Sequence, residues 1–324
     1  MVTNRKIINP AAGAIVMAFG IFLHTSMNLL PFPPIMRPVF ISLFLTGAAG
    51  ILIALGLQFS SREFRKGFLN NPVNFFSMGT WVAGISVSAK VILLYYPDFA
   101  PVVTVVIALN TLLYGYYIYH CLRHFYNLWR TPEAHAPHGV ILLAAVATQS
   151  LVIVWNVLVQ PDIPPLGVLF GLLMYTAGAI VIIRHYFWNS KGTLADDWSN
   201  TNCIFHGALS ISGFAMVISG SFTEETIAMF WWGTFAVLLF IESIELVRAR
   251  RRIRKYGWRE GVFTYHISQW SRNFTFGMFF AFTSHVHTGL LLNVWGWVVI
   301  LLLAAEVIIF MKQKTEGAPG GAHP

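Results

Sequence analysis

The chain has 324 residues, of which 56% are hydrophobic and only 10% charged, with a formal net charge of +8 at pH 7. A water-soluble domain of this length does not carry so apolar a composition. Nucleic-acid binding is a poor account of the positive charge, because the cations sit beside apolar runs, where topology and anionic headgroups explain them.

Ten apolar stretches are predicted as helices, each of about 20 residues, and about 20 residues at ~1.5 Å rise cross a ~30 Å hydrocarbon core. Barrel strands are half as long and alternate in polarity, and these runs do neither. The first, 10–31, opens on Asn9-Pro10 and carries Gly13, Gly20 and His24. The second, 37–59, is smoother and greasier. The third, 72–96, opens on Asn71-Pro72 and holds Ser77, Gly79, Thr80, Gly84, Ser86, Ser88 and Lys90. After the fourth, 100–122, the fifth, 139–159, opens on His138-Gly139, and the sixth is 164–188. The seventh, 203–222, holds His206-Gly207, Ser210, Ser212 and Gly213, and the eighth, 226–248, carries Glu242 and Glu245. The ninth, 264–292, contains Arg272, Thr275, Gly277, Thr283, His285 and His287, and the tenth, 294–312, contains Glu306.

The loops are short except 189–202 and 249–263, so residues 1–315 form a single transmembrane domain, and the Gly/Pro-rich 316–324 is expected to be a disordered tail. The first stretch lacks a convincing cleavage site and is long enough to span, so a cleavable signal is not expected.

Cations fall in alternate gaps. Arg5 and Lys6, then Arg62, Arg65 and Lys66, then Arg123 and Arg130, then Arg184 and Lys191 occupy one set. The dense run from Arg248 to Arg259 and then Lys312 and Lys314 complete it. The opposite gaps hold Arg37 with Asp98, Asp162, Glu224 and Glu225. By the positive-inside rule both termini are cytoplasmic and the chain makes five hairpins. The 249–263 run is expected along the inner leaflet, against membrane lipids. Cys121 and Cys203 both map near cytoplasmic helix ends, which argues against a disulfide or a thiolate metal site.

The odd-numbered stretches carry the Gly, Ser and Thr, whereas the even ones are greasy. Ordinary small-residue packing explains this, and so do odd helices lining a central path. Embedded acids occur only in even stretches, so a conduit lined by odd helices lacks cation ligands and favours anions.

Three segments carry a family resemblance: Asn71-Pro72-Val73-Asn74-Phe75-Phe76-Ser77-Met78-Gly79-Thr80, Ala108-Leu109-Asn110-Thr111-Leu112-Leu113-Tyr114 and His206-Gly207-Ala208-Leu209-Ser210-Ile211-Ser212-Gly213. With ten spans and both ends inside, the chain resembles the tellurite-resistance/dicarboxylate transporter family of TehA-type proteins, fungal malate and sulfite transporters and plant slow anion channels. The likeness covers roughly 10–312. It implies an all-α integral membrane fold, with ten transmembrane helices as five hairpins in a quasi-fivefold ring, odd helices inner and even helices outer. It also implies a homotrimer with one pore per subunit, occluded by a phenylalanine on the ninth helix. Phe274-Thr275-Phe276-Gly277 occupies that place, which makes Phe276 the implied gate, with Phe279 and Phe282 as the alternative gate residues. Gly277 stands where the family usually has Pro, and it permits the kink without enforcing it.

Other residues are open to two readings each. Arg272 either concentrates anions at the inner mouth or anchors at the headgroups. Lys90 either snorkels to the outer headgroups or attracts anions in the outer vestibule. Thr80 and Ser212 are pore-lining candidates. His24 and His285 lie in the outer halves of the first and ninth helices as pore-lining or pH-sensing candidates, against the plainer reading of hydrogen-bonded packing. His285 and His287 stand about 200° apart around a helix and cannot face the same way. Glu245 reaches Arg248 at i+3, whereas Glu242 and Glu306 are possible proton sites.

The expectation is a bacterial inner-membrane channel passing small anions of the chloride and nitrate class, with no catalysis, cofactor, metal or nucleic-acid partner. A proton-coupled carrier of dicarboxylate, sulfite or a related oxyanion is the alternative on the same scaffold. A haem-binding redox anchor is more distant, because His24, His206 and His285 offer no facing pair at one depth.

Overall fold

The computed structural model describes residues 8–30, 33, 35–159, 165–189 and 193–315, so Arg5, Lys6, Asp162, Lys191 and the tail fall outside the described residues. Helix dominates, and no strand occurs among the described residues. Twelve α-helices follow in order: α1 (Gly13–His24), α2 (Met36–Ser60), α3 (Arg62–Asn70), α4 (Gly79–Tyr95), α5 (Ala100–Arg130), α6 (Leu143–Val159), α7 (Leu166–Arg184), α8 (Leu194–Asp197), α9 (Ile204–Ser219), α10 (Glu224–Val262), α11 (Gln269–Val286) and α12 (Leu290–Thr315).

Eight helical segments are long and apolar enough to cross a membrane, and the chain is a membrane-embedded protein on that ground. Ten were expected. The two that fall short are Pro10–His24, which is too brief, and α11, which is 18 residues long and diluted by Arg272, Asn273, Thr275, Ser284 and His285. Both are enclosed by other helices, so neither has to match a lipid environment along its whole surface.

Burial separates the segments into two classes. In Asn74–Tyr95, Gly139–Val159 and Asn200–Ser219, 61–83% of the most apolar window is buried, against 17–39% in the segments built on α2, α5, α7, α10 and α12. The packing order closes on itself: α1 lies on α4, α4 on α6, α6 on α9, α9 on α11 and α11 on α1. Each of α2, α5, α7, α10 and α12 bridges two neighbours of that inner set. Small residues allow the approach. A Cβ on Gly13 would meet Thr80, one on Gly207 would meet Thr275, and one on Gly277 would meet Ile21.

The inner helices run parallel. Gly13 meets Thr80 near their starts, and His24 and Lys90 come to one cavity near their ends. Each inner helix is entered through a side chain that accepts a hydrogen bond from the backbone N–H two residues on. The five are Asn9, Asn71, His138, Ser199 and His266, which recur about every 64 residues. Burial, with His185 nearby, pulls His138 down to about 4, so its neutral Nδ1 is free to accept from Thr201 Oγ1 at 2.7 Å.

α10 does not end at the eighth apolar stretch but continues through the basic run, with a break at Gly257 (φ 78°, ψ 171°). That backbone region is closed to side chains with a Cβ. Before the break, Asp196 of α8 accepts from Lys255 Nζ and Tyr256 Oη, both at 2.8 Å, and α8 is thereby clasped to α10.

Candidate functional site

A cavity of about 30 Å³ lies where the inner helices converge, and all five contribute to it. Ile21 and His24 come from α1, Ser86, Val87 and Lys90 from α4, Ser150, Ile153 and Val154 from α6, Ile211 and Phe214 from α9, and Met278 from α11. The volume suits a few water molecules at most and is too small for a hydrated ion. No carboxylate lines it.

Phe214 is the hub. The Lys90 ammonium stands 4.1 Å from its ring centroid, a cation–π distance. The rings of His24 and His285 meet the same phenyl edge-on, at 6.2 and 5.2 Å between centroids. Among the described residues Lys90 has no hydrogen bond or ion pair, so its charge is offset only by aromatic density and by helix ends. His24 is the last residue of α1, His285 is in the last turn of α11, and Lys90 lies near the end of α4. A cation such as Lys90 near a helix C-terminus complements the partial negative charge there. Both lining hydroxyls bond within their own helices, Ser86 Oγ to Val82 O at 2.9 Å and Ser150 Oγ to Ala147 O at 2.8 Å. Ser86 Oγ also accepts from Asn110 Nδ2 of α5 at 3.0 Å. Their lone pairs and rotatable protons leave the cavity wall polar at two points.

The structure brings Lys90 and His24 together at this cavity, with His285 across the Phe214 ring. The other predicted residues lie elsewhere. Thr80 is buried against Gly13, with its hydroxyl on Ser77 O at 2.8 Å, and Ser212 is buried with its hydroxyl on Ala208 O at 2.7 Å. Phe276 points toward α12, stacked on Trp295 at 5.5 Å and edge-on to His206. Phe279 stacks on Trp231 and Phe235 of α10, and Phe282 packs on Gly213. Gly277 faces Ile21 of α1, and the α11 residue that reaches the cavity is Met278. His287 turns away from His285 and packs on Trp231 at 4.1 Å.

Arg272, in the first turn of α11, is held by two acids of α10. Its Nη2 is 3.0 Å from Glu245 Oε2 and its Nε 3.9 Å from Glu242 Oε1. Glu242 Oε1 also lies 3.4 Å from His206 Nε2. Glu245 meets Arg248 at 3.3 Å and accepts from Trp198 Nε1 at 2.7 Å, while Arg248 donates to Asn200 Oδ1. Glu306 is 6% exposed, and its Oε1 has no hydrogen-bond partner.

Phe214 was not singled out in sequence. Its one signal is the i, i+3 pairing with Ile211 on a common helix face, and nothing local says that this face points to the axis. Among the described residues no three His, Cys, Asp or Glu side chains converge as a metal ion requires, and Cys121 and Cys203 are free and buried. Compared with models of known protein families and with curated protein sequences, the chain matches none.

Proposed function

We propose that this chain is a membrane conduit for small anions of the chloride and nitrate class. The single observation that carries this reading is the acid-free cavity shared by all five inner helices, which Lys90 enters with no ion-pair partner among the described residues. A cation in a low-dielectric constriction attracts anions and repels cations. Phe214 is the occluding side chain in this proposal, in place of Phe276, because its ring contacts Lys90 and both histidines around the cavity.

The cyclic packing supports a ring of ten spans, five inner and five outer, as the resemblance to the TehA-type family implies. On that plan α1 and α11 cross as inner helices despite falling short in length or apolarity. The family likeness, the homotrimer and a bacterial inner membrane with both termini cytoplasmic belong to the same proposal. The alternating cations support the orientation.

The test is flux from proteoliposomes loaded with chloride, nitrate, sulfite or malate, with and without a pH gradient. Chloride and nitrate are expected to move down their own gradients without one. Movement of sulfite or malate only with a pH gradient would replace the channel by a coupled carrier. Lys90→Gln is expected to lower chloride flux about tenfold, and undiminished flux at equal protein would overturn the proposed role of Lys90.

A further inference from the structure

A second cluster of ionisable side chains lies off the cavity, toward the ends of the inner helices where the basic residues gather. Its ion pairs join α9, α10 and α11, and α12 is packed beside the start of α11 there, with Phe310 on Tyr265 and Trp270 at 5.2 and 6.4 Å between ring centroids. Arg248 and Arg272 supply two positive charges, and Glu242, Glu245 and Glu306 supply up to three negative ones. His206, wholly buried, completes it beside Glu242. An ionised carboxylate without a partner is expensive in such surroundings, so the acid least well matched is the one that keeps a proton.

The partners indicate which acid that is. Glu245 has two arginines and the Trp198 indole, and Glu242 has Arg272 and His206. Glu306 has no hydrogen bond at its buried Oε1, and the cation that acts on it is Arg272. Tyr265, at the entry to α11, is a titratable group within electrostatic reach of it. Against α1, which also touches α12, there is no titratable side chain except His24 at the far end. Along its own helix the nearest charged residue is Lys312, more than a turn away.

We propose that this cluster is a proton-binding site, holding one proton at neutral pH on the Glu306 carboxyl. Glu306 is buried at 6% exposure with Oε1 unpartnered, on a helix packed against α11, whereas Glu242 and Glu245 each have a cation within 4 Å. The site stands whether or not the cavity conducts anions, because its ligand is the proton and its readout is spectroscopic.

Infrared spectroscopy of the purified protein in lipid tests it. At pH 7 a protonated-carboxyl carbonyl band is expected, lost on alkaline titration. It is also expected to be absent from Glu306→Gln and retained in Glu242→Gln. No such band in the wild-type protein at pH 7 overturns the proposal without any variant, as does a band that persists in Glu306→Gln. Should Glu306→Gln fail to fold, Glu306→Asp takes its place: a shifted band assigns the proton to this position, and an unshifted one overturns it.

Discussion

At the residue scale, the distinction that matters is between Phe214 and Phe276. Both are buried aromatics, but one meets Lys90 and two histidines at the convergence of the inner helices and the other stacks on Trp295 of an outer helix. Phe214→Ala is therefore expected to raise chloride flux several-fold in proteoliposomes. Phe276→Ala is expected to act mainly on stability, losing about 3–5 kcal/mol as a large core truncation, read as a lower Tm in detergent. The reverse pattern would return the gate to α11. Lys90 and His24 were legible in the sequence because a charge or an imidazole inside an apolar run stands out. Phe214 was not, because the chain has 27 phenylalanines and which one meets the axis depends on the rotation of α9 against its neighbours.

At the element scale, the inner helices owe their contacts to glycine and their entries to a repeated side-chain cap. A valine at Gly207 would force α9 away from Thr275 of α11, and overpacking of this kind costs about 1–3 kcal/mol. Gly207→Val is expected to lower the Tm by several degrees, whereas Gly233→Val, on a face of α10 with nothing within 4 Å, is expected to leave it unchanged. The clasp between α8 and α10 has its own pH signature. Hydrogen bonds from Lys255, Tyr256 and Thr193 hold the Asp196 carboxyl below the usual carboxylate range. A group whose folded pKa is depressed contributes stability above its unfolded pKa and loses it as pH falls through the folded one. Hydrogen exchange over 193–199, corrected for intrinsic rates, is therefore expected to be flat from pH 7 to pH 5. It should rise only below the ordinary aspartate pKa of about 3.9. The recurrence of Asn9, Asn71 and His138 at helix entries was partly visible in sequence. Ser199 and His266 escaped notice because the shared feature is a backbone N–H two residues on, and Asn, His and Ser each satisfy it with a different atom.

At the scale of the whole molecule, the alternating cations set an expected topology that labelling can check. Thiol-reactive reagents that do not cross membranes are expected to spare the buried Cys121 and Cys203. They should label a cysteine introduced at Glu224 from one side only and one at Arg254 from the other; labelling of both from one side would break the orientation. Composition and hydrophobic run length were enough to determine an all-helical membrane protein, because a bilayer leaves a spanning backbone no other way to satisfy its hydrogen bonds. The split into polar odd and greasy even stretches also stood in the sequence, since lipid contact selects apolar side chains and helix contact selects small ones. Tertiary structure alone decided that Arg272 pairs with Glu245 and Glu242. It alone set Phe214 beside Lys90. These are contacts between helices far apart in the chain, fixed by how each helix is rotated in the packed bundle, and no local pattern encodes that rotation.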